Sequence, residues 1–161
     1  MKGNIVKKHR PGDFELIASG ETTEEVNTIN ITTDNDGNPF ELCDMITIYT
    51  MSPKSTNSVD SSLSYYFNAS FMQQTPANAI STSGSRYHRL IGIYSGKRWD
   101  SYCYSVANTA DNGTIVSRDR NGQTTEKTVN RIKMYLYNSE LVLPIGFKYE
   151  IYGRRVKNAN S

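Results

Sequence analysis

The sequence contains few of the residues that define several large protein classes. Only two of its 161 residues are cysteine, which excludes a disulfide framework and a Cys-rich zinc site. No run of about 18 apolar residues occurs, so we expect no membrane insertion. The formal net charge is only +2, whereas nucleic-acid-binding domains concentrate a large positive charge, so we do not expect a nucleic-acid partner. The first eight residues include lysines but no apolar segment, so we expect no signal peptide.

Polar residues of the kind found in turns are abundant. Ser, Thr and Asn make up 47 of the 161 residues, and the chain also contains 11 Gly and 11 Tyr. This composition is typical of short strands joined by polar turns, because Tyr and Thr favour strands while Asn, Ser and Gly favour turns. The length suits a single domain. We expect a basic N-terminal arm at 1–12, one domain at 13–157 and a short C-terminal tail at 158–161.

Apolar residues recur mainly at alternate positions between the turn clusters, which indicates strands. The segment 126–136 also fits a helical spacing, but its β-branched and Tyr-rich composition favours a strand. The sequence therefore predicts an all-β protein, an antiparallel two-sheet β-sandwich resembling a jelly roll, with about eight strands. The predicted strands are 13–19, 26–33, 40–51, 62–72, 85–95, 98–107, 128–138 and 147–156.

The same alternation predicts which side chains form the core. The expected core residues are Phe14, Leu16, Ile29, Ile31, Phe40, Leu42, Ile91, Ile132, Leu136 and Ile151. Cys43 and Cys103 both fall inside predicted strands, and we expect them to be buried free thiols. The two histidines are isolated in the sequence, so we expect no metal site built on them.

One turn contains oxygen-bearing side chains at alternate positions. Asp34, Asp36 and Asn38 surround Gly37, as in a calcium-binding loop. A calcium loop of the EF-hand type would need a bidentate Glu further along the chain and flanking helices, and Glu41 comes too early. We therefore expect an ordinary turn between strands, with no bound metal and no cofactor.

Two predicted strands direct aromatic and charged side chains outward. Placing Ile132, Met134 and Leu136 in the core turns alternate residues of 128–138 away from it, and the same holds for 147–156. We expect the two sets to form one surface if these strands are neighbours in a sheet. The candidate ligand or partner surface consists of Arg131, Lys133, Tyr135, Tyr137, Tyr152 and Arg154.

Such a surface suits three roles that the sequence leaves open. Tyr and Arg are frequent in the energetically dominant parts of protein interfaces, so the surface suits subunit contacts. Aromatic rings also stack on the apolar faces of sugars, whose hydroxyl groups bond to polar neighbours. Tyr is favoured in strands in any case, so an ordinary sheet surface is the third alternative.

The sequence does not predict an enzyme. It contains no Gly-x-Ser-x-Gly, no His-Glu-x-x-His and no phosphate-binding loop. Hydrolysis of a glycan would need two carboxylates about 5 to 9 Å apart. The spacing of Asp44, Asp100, Asp111 and Asp119 sets no pair of them apart.

Both ends of the predicted domain resemble a known family. Segments 13–17, 26–32 and 34–40, followed by the strand that ends at Ser52-Pro53, resemble the opening of a β-sandwich domain of bacteriophage and prophage tail fibre, tail-tip or minor structural proteins. Segment 143–156 looks like that domain's closing strand, with the turn Pro144-Ile145-Gly146 and a Gly-x-Arg at Gly153. The middle of the chain matches only in pattern.

The resemblance implies a role and a location. We expect a non-enzymatic virion structural protein from the tail or an appendage, assembled in the bacterial cytoplasm. Its partners would be other virion subunits or further copies of itself, and host surface glycans are additional candidate ligands. The alternative is a bacterial carbohydrate-binding module unrelated to virions. The resemblance implies no catalytic residues, and the low net charge predicts no nucleic-acid partner.

Overall fold

The computed structural model describes residues 13–75, 78–107, 115–121 and 124–156, with the side chains of all of these except 106, 107 and 115–121. The described residues form strands and connecting turns, and none lies in a helix, which confirms the all-β prediction. The predicted arm at 1–12 and the tail at 158–161 lie outside this part of the chain. The strands are β1 (Phe14–Glu21), β2 (Thr28–Ile31), β3 (Leu42–Ser52), β4 (Leu63–Phe67), β5 (Ser70–Gln74), β6 (Arg86–Tyr94), β7 (Trp99–Ala107), β8 (Ile115–Asn121), β9 (Ile132–Leu136) and β10 (Lys148–Arg155).

These strands form two antiparallel sheets. The large sheet has the order β1-β10-β3-β6-β7-β8, and the small sheet has the order β2-β9-β4-β5. Eight of the strands pair from the outside of the chain inward, as in one long hairpin that is rolled up. The pairs are β1 with β10, β2 with β9, β3 with β6 and β4 with β5. This is the connectivity of a jelly roll, and β7 with β8 extends it by a hairpin at the edge of the large sheet.

The core lies between the inner faces of the two sheets. Ile46 and Ile48 of β3 face the inner side chains of the small sheet, and all of these are fully buried. The single tryptophan, Trp99, packs edge-on against Phe67 with the ring centres 5.3 Å apart. Gly92 makes this contact possible, because a Cβ there would lie 2.7 Å from the Phe67 ring. The fully buried inner residues of the small sheet include Leu63, Tyr65, Phe67, Ile132, Met134 and Leu136.

A polar group with defined partners is buried beside this core. The His88 ring is 3% exposed and lies on the inner side of β6. Its Nε2 lies 3.0 Å from the Ala79 carbonyl oxygen, and its Nδ1 lies 2.7 Å from Ser105 Oγ. Since a carbonyl only accepts, Nε2 carries the proton and Nδ1 accepts from the serine hydroxyl.

Two strand predictions differ from the structure. The predicted strand 62–72 is two strands, because Asn68 adopts a left-handed conformation with φ 54° and reverses the chain between β4 and β5. The sequence analysis also missed β8, whose segment is rich in charged residues.

Three predicted core residues were wrong. Phe14 and Leu16 are 40% and 41% exposed, because a bulge between Leu16 and Ala18 shifts the alternation of β1 and buries Ile17 and Ala18 instead. Ile91 is only partly buried and points to the outer face of β6. The prediction failed in β6 because its inner positions include polar Arg86 and His88, whereas its outer positions include several apolar residues. Ile29 packs against the core but keeps partial exposure.

Candidate functional site

The predicted surface residues are divided between the two sides of the sandwich. Lys133 and Tyr135 lie on the outer face of the small sheet, since β9 pairs with β2 and β4. Tyr152 and Arg154 lie on the outer face of the large sheet, since β10 pairs with β1 and β3. The expectation of one merged surface was therefore wrong. In the rolled hairpin, β9 and β10 enter opposite sheets.

The outer face of the small sheet carries a compact aromatic group, the Tyr66 cluster, formed by Tyr66, Phe71, Lys133 and Tyr135. The Tyr66 ring centre lies 5.4 Å from the ring centres of both Phe71 and Tyr135. Lys133 Nζ lies 4.8 Å from the ring centres of Tyr66 and Tyr135, which is a cation–π arrangement. The hydrogen bond between the Tyr66 and Tyr135 hydroxyls, followed by burial, raises the pKa of Tyr135. Lys133 thus packs over the ring of Tyr135, which the sequence predicted to face a ligand, and over that of Tyr66, which was not among the predicted surface residues.

The other two predicted residues of this strand have different roles. Arg131 donates from Nε and Nη2 to the carbonyl oxygen of Asn68, at 3.1 and 3.0 Å, and so fastens the β4–β5 turn. The Asn68 side chain bonds in turn to Glu126, to the Thr128 carbonyl and to the Asn130 amide. Tyr137 is 81% exposed just beyond the end of β9. Arg131 therefore has a structural function that its position in the sequence did not reveal.

A second exposed surface, rich in apolar and aromatic side chains, lies on the other side of the described part of the molecule. Seven large apolar or aromatic side chains that are 37% to 45% exposed all project from the outer face of the large sheet. We call this surface the tyrosine face, and it also includes Tyr152, Arg89 and Glu150. Its seven exposed apolar or aromatic members are Phe14, Leu16, Tyr49, Tyr87, Ile93, Tyr102 and Tyr104.

The middle of the tyrosine face is an interlocking group of rings and charges. The Tyr152 ring stacks with Phe14 at 6.2 Å and meets Tyr49 edge-on at 5.8 Å. The Arg89 guanidinium lies 5.4 Å from the centre of the Tyr49 ring. Tyr152 donates its hydroxyl to Glu150 at 3.1 Å, and this bond raises the pKa of Tyr152.

The charges on the tyrosine face balance. The outward positions of its described strands carry three cationic and three anionic side chains, and the neighbouring Asp44 and Arg98, which pair with Arg154 and Asp100, add one charge of each sign. The face therefore has no strong preference for a polyanion. Some of these charges are paired, as in Lys148 with Glu21 at 3.6 Å. The six are Arg89, Lys148, Arg154, Glu21, Asp100 and Glu150.

Arg154 lies at the rim of the tyrosine face. Its Nη1 lies 3.4 Å from Asp44, which has a φ of 63° in the bulge of β3. Cys43 lines the same shallow pocket with Lys127 and is partly exposed, so the prediction that it is buried was wrong. Burial and the neighbouring Asp44 raise the pKa of the Cys43 thiol, which keeps it protonated and unreactive at neutral pH. Cys103 is buried, and neither cysteine forms a disulfide.

The Asp34 segment is a turn whose carboxylate is engaged within the protein. Asp34 Oδ1 accepts from the amides of Asp36 and Asn38, and Oδ2 accepts from Arg155 at 2.8 Å. Burial alone would raise the pKa of Asp34, but these hydrogen bonds hold it below the usual value. Arg155 also donates to Glu15 at 2.7 Å and so ties the turn to β1 and β10.

The same turn covers part of a sheet edge. The Asn35 amide donates to the Ile17 carbonyl at 3.0 Å, and its side-chain oxygen accepts from the Ser19 amide at 2.8 Å. These are outward backbone groups of β1, the edge strand of the large sheet. Asn35 therefore occupies two positions to which an added strand would bond.

The acidic residues named in the sequence analysis do not come together in the described residues. Asp44 pairs with Arg154, and Asp100 lies 3.2 Å from Arg98 Nε. Asp111 and the side chain of Asp119 are outside the described part. Within that part, no group of three His, Cys, Asp or Glu side chains has the geometry of a metal site. The described residues also include no helix long and apolar enough to cross a membrane.

Comparison with known proteins does not assign the chain to a family. No protein-family profile matches it, and no curated protein is significantly similar to it. The tyrosine face is therefore interpreted from its own residues. The sequence analysis did not select Tyr49, Tyr87 or Arg89, although their alternation in 40–51 and 85–95 could have indicated an outward-facing set.

Proposed function

We propose that this protein is a non-enzymatic structural component of a bacteriophage or prophage virion, belonging to the tail or an appendage. The observation that carries the proposal is the tyrosine face, an exposed and charge-balanced surface rich in aromatic residues on a rigid sheet. Large exposed apolar patches on monomers are characteristic of sites that bind other proteins. The resemblance of segments 13–40 and 143–156 to phage tail domains supports the virion setting.

The composition of the tyrosine face favours a protein partner over a polyanion. Tyr and Arg predominate in interface hot spots, and four of the seven exposed apolar or aromatic members of the face are Tyr. Equal numbers of cationic and anionic side chains suit a protein surface with the complementary arrangement. On this proposal the sandwich is a building unit whose large sheet packs against a neighbouring subunit.

Protein analysis of purified particles tests the proposal. Particles released by prophage induction of the source bacterium are purified, and their proteins are quantified by mass spectrometry. We expect this protein in amounts comparable to those of other minor structural subunits. Its absence from the particles, combined with its presence in the cell lysate, would overturn the proposal.

The second candidate function is glycan binding, and the Tyr66 cluster favours it. The cluster lies beside the exposed Thr28 and Asn30, which pair with Tyr135 and Lys133 on the same outer face. A sugar could stack against the rings and bond to these polar groups. Glycan-array binding that is lost in Tyr135→Ser and kept in the control Tyr137→Ser would support this function. No binding at millimolar glycan would exclude it.

A further inference from the structure

The strand register places two opposite charges symmetrically about one residue of the tyrosine face. Tyr49 in the middle of β3 pairs with Glu150 of β10 on one side and with Arg89 of β6 on the other. Both charged side chains are exposed, and neither has an ion-pair partner among the described residues. This arrangement of an acid, a ring and a base along one row is complementary to itself.

A twofold axis along β3 matches this row to a second copy of the same face. A half-turn about an axis in the plane of the interface leaves β3 opposite β3 and brings β10 opposite β6 of the other copy. Glu150 then faces Arg89 of the second copy, and the symmetry repeats the pair on the other side of Tyr49. Such an isologous contact closes on two subunits.

The same half-turn also brings complementary residues of the two neighbouring rows opposite each other. In the neighbouring row, Tyr152 pairs with Thr47 and Thr47 with Ile91, so the half-turn places the Tyr152 ring against Ile91 of the second copy. In the opposite row, Lys148 meets the Tyr87 ring of the second copy, which is a cation–π pairing. In these three rows of β10 and β6, the ring of Tyr152 meets an apolar side chain, and the charged groups of Glu150 and Lys148 meet an opposite charge or a ring.

The size of the face also suits such a contact. Strands β1, β10, β3, β6 and β7 at about 4.8 Å spacing and about eight residues of about 3.3 Å each cover roughly 600 Å² of flat area. Side chains protrude from this plane, so the accessible area of the face is larger than its flat area. It is close to the roughly 800 Å² that each partner contributes to a standard interface.

We infer that the protein forms a homodimer through the tyrosine face, with a twofold axis along β3 that passes Tyr49 and pairs Glu150 with Arg89 of the second copy. This inference rests on the proposed function, since it names the partner of the surface through which the structural subunit would pack. The dimer is the assembly unit, and the outer face of the small sheet remains free on both sides.

Charge reversal tests whether the two copies are related by this twofold axis, and not only whether the protein is a dimer. The full chain is studied by sedimentation equilibrium from 1 to 200 µM, and we expect a dimer in the upper part of this range. Arg89→Glu or Glu150→Arg alone places like charges opposite each other twice and should weaken dimerisation at least about a hundredfold. The double variant carrying both changes should restore it, because the symmetry exchanges the two partners.

Controls separate the outcomes. Lys54→Glu changes the net charge as Arg89→Glu does, at an exposed position away from the tyrosine face, and should leave the dimer intact. Circular dichroism checks that each variant is folded. A wild-type monomer at 200 µM, or a double variant as weak as the single ones, would overturn the inference. A monomer that is nevertheless found in purified particles would leave the proposed function standing.

Discussion

Between pH 7.5 and pH 4.5, acidification should destabilise this protein mainly through one buried side chain, His88. Burial, the largest influence, lowers the pKa of His88 to about 4, and the nearby Arg86 acts in the same direction. The hydrogen bond to the Ala79 carbonyl opposes this effect only in part. The folded protein therefore holds the ring neutral at a pH where an unfolded chain, with a pKa of about 6.5, would protonate it.

The sign and size of the effect follow from this difference. A pKa that is lower in the folded state contributes stability above pH 6.5, and that stability is lost as the pH falls towards 4. The difference of about 2.5 between the two pKa values corresponds to a total of about 3 kcal/mol. Between pH 7.5 and pH 4.5 the expected loss in the free energy of unfolding is about 2.5 kcal/mol.

Urea denaturation followed by tryptophan fluorescence measures this loss. Trp99 is the only tryptophan and is fully buried, so its emission reports on the core. His88→Gln removes the titrating group and should be less stable at pH 7.5, with about 2.5 kcal/mol less dependence on pH than the wild type. His9→Gln, at the other histidine, is the matched control and should keep the full dependence. The reasoning fails if wild-type stability changes by less than about 1 kcal/mol over this range, or if His88→Gln keeps the wild-type slope.

Three further predictions concern local features of the structure. Asp34→Ala should lower the free energy of unfolding by about 1–3 kcal/mol, because it removes the acceptor of two amides and a guanidinium. Asp36→Ala, at an exposed position, should change it by less than about 0.5 kcal/mol, and equal losses in the two variants would contradict this assignment. Millimolar calcium should stabilise neither the wild type nor the variants. Gly92→Ala should cost about 1–3 kcal/mol by forcing a methyl group against a core ring, while Gly84→Ala, whose Cβ would lie 3.6 Å from its nearest neighbour, should cost less than about 1 kcal/mol; urea titration ranks the two, and a reversed order would refute the packing argument. The pH at which a thiol reagent modifies Cys43 at half its maximal rate should lie above the value for cysteine in a short model peptide, because burial raises the pKa of the Cys43 thiol. A midpoint at or below the peptide value would contradict that shift.

The sequence predicted the strands in which alternation was undisturbed. In β9 and β10 the apolar residues occupy every second position, so Ile132, Leu136 and Ile151 are in the core as expected. In β1 the extra residue of a bulge reversed the pattern after Leu16. In β6 the inner face is occupied by residues such as His88, whose burial depends on partners in distant segments.

The candidate site was less predictable than the fold for a related reason. Alternation shows which residues of a strand share a face, but it does not show which strands are neighbours. The outward residues of β9 were identified correctly, yet Lys133 packs on Tyr66 of β4 and not beside Tyr152. The tyrosine face combines outward residues from β1, β3, β10 and the β6–β7 hairpin, which are far apart in the sequence, and only the rolled topology brings them together.

The turn that places Asn35 on the edge of β1 limits how copies of this protein can associate. Fibre growth by sheet extension would require an incoming strand to displace Asn35 from Ile17 and Ser19 and to break the Arg155 contacts that hold the turn. At this edge, strand-by-strand polymerisation therefore requires that the turn containing Asn35 first unfolds locally. At high local concentration, as in a crowded assembly site, the protein is protected at this edge against joining its copies into continuous sheets.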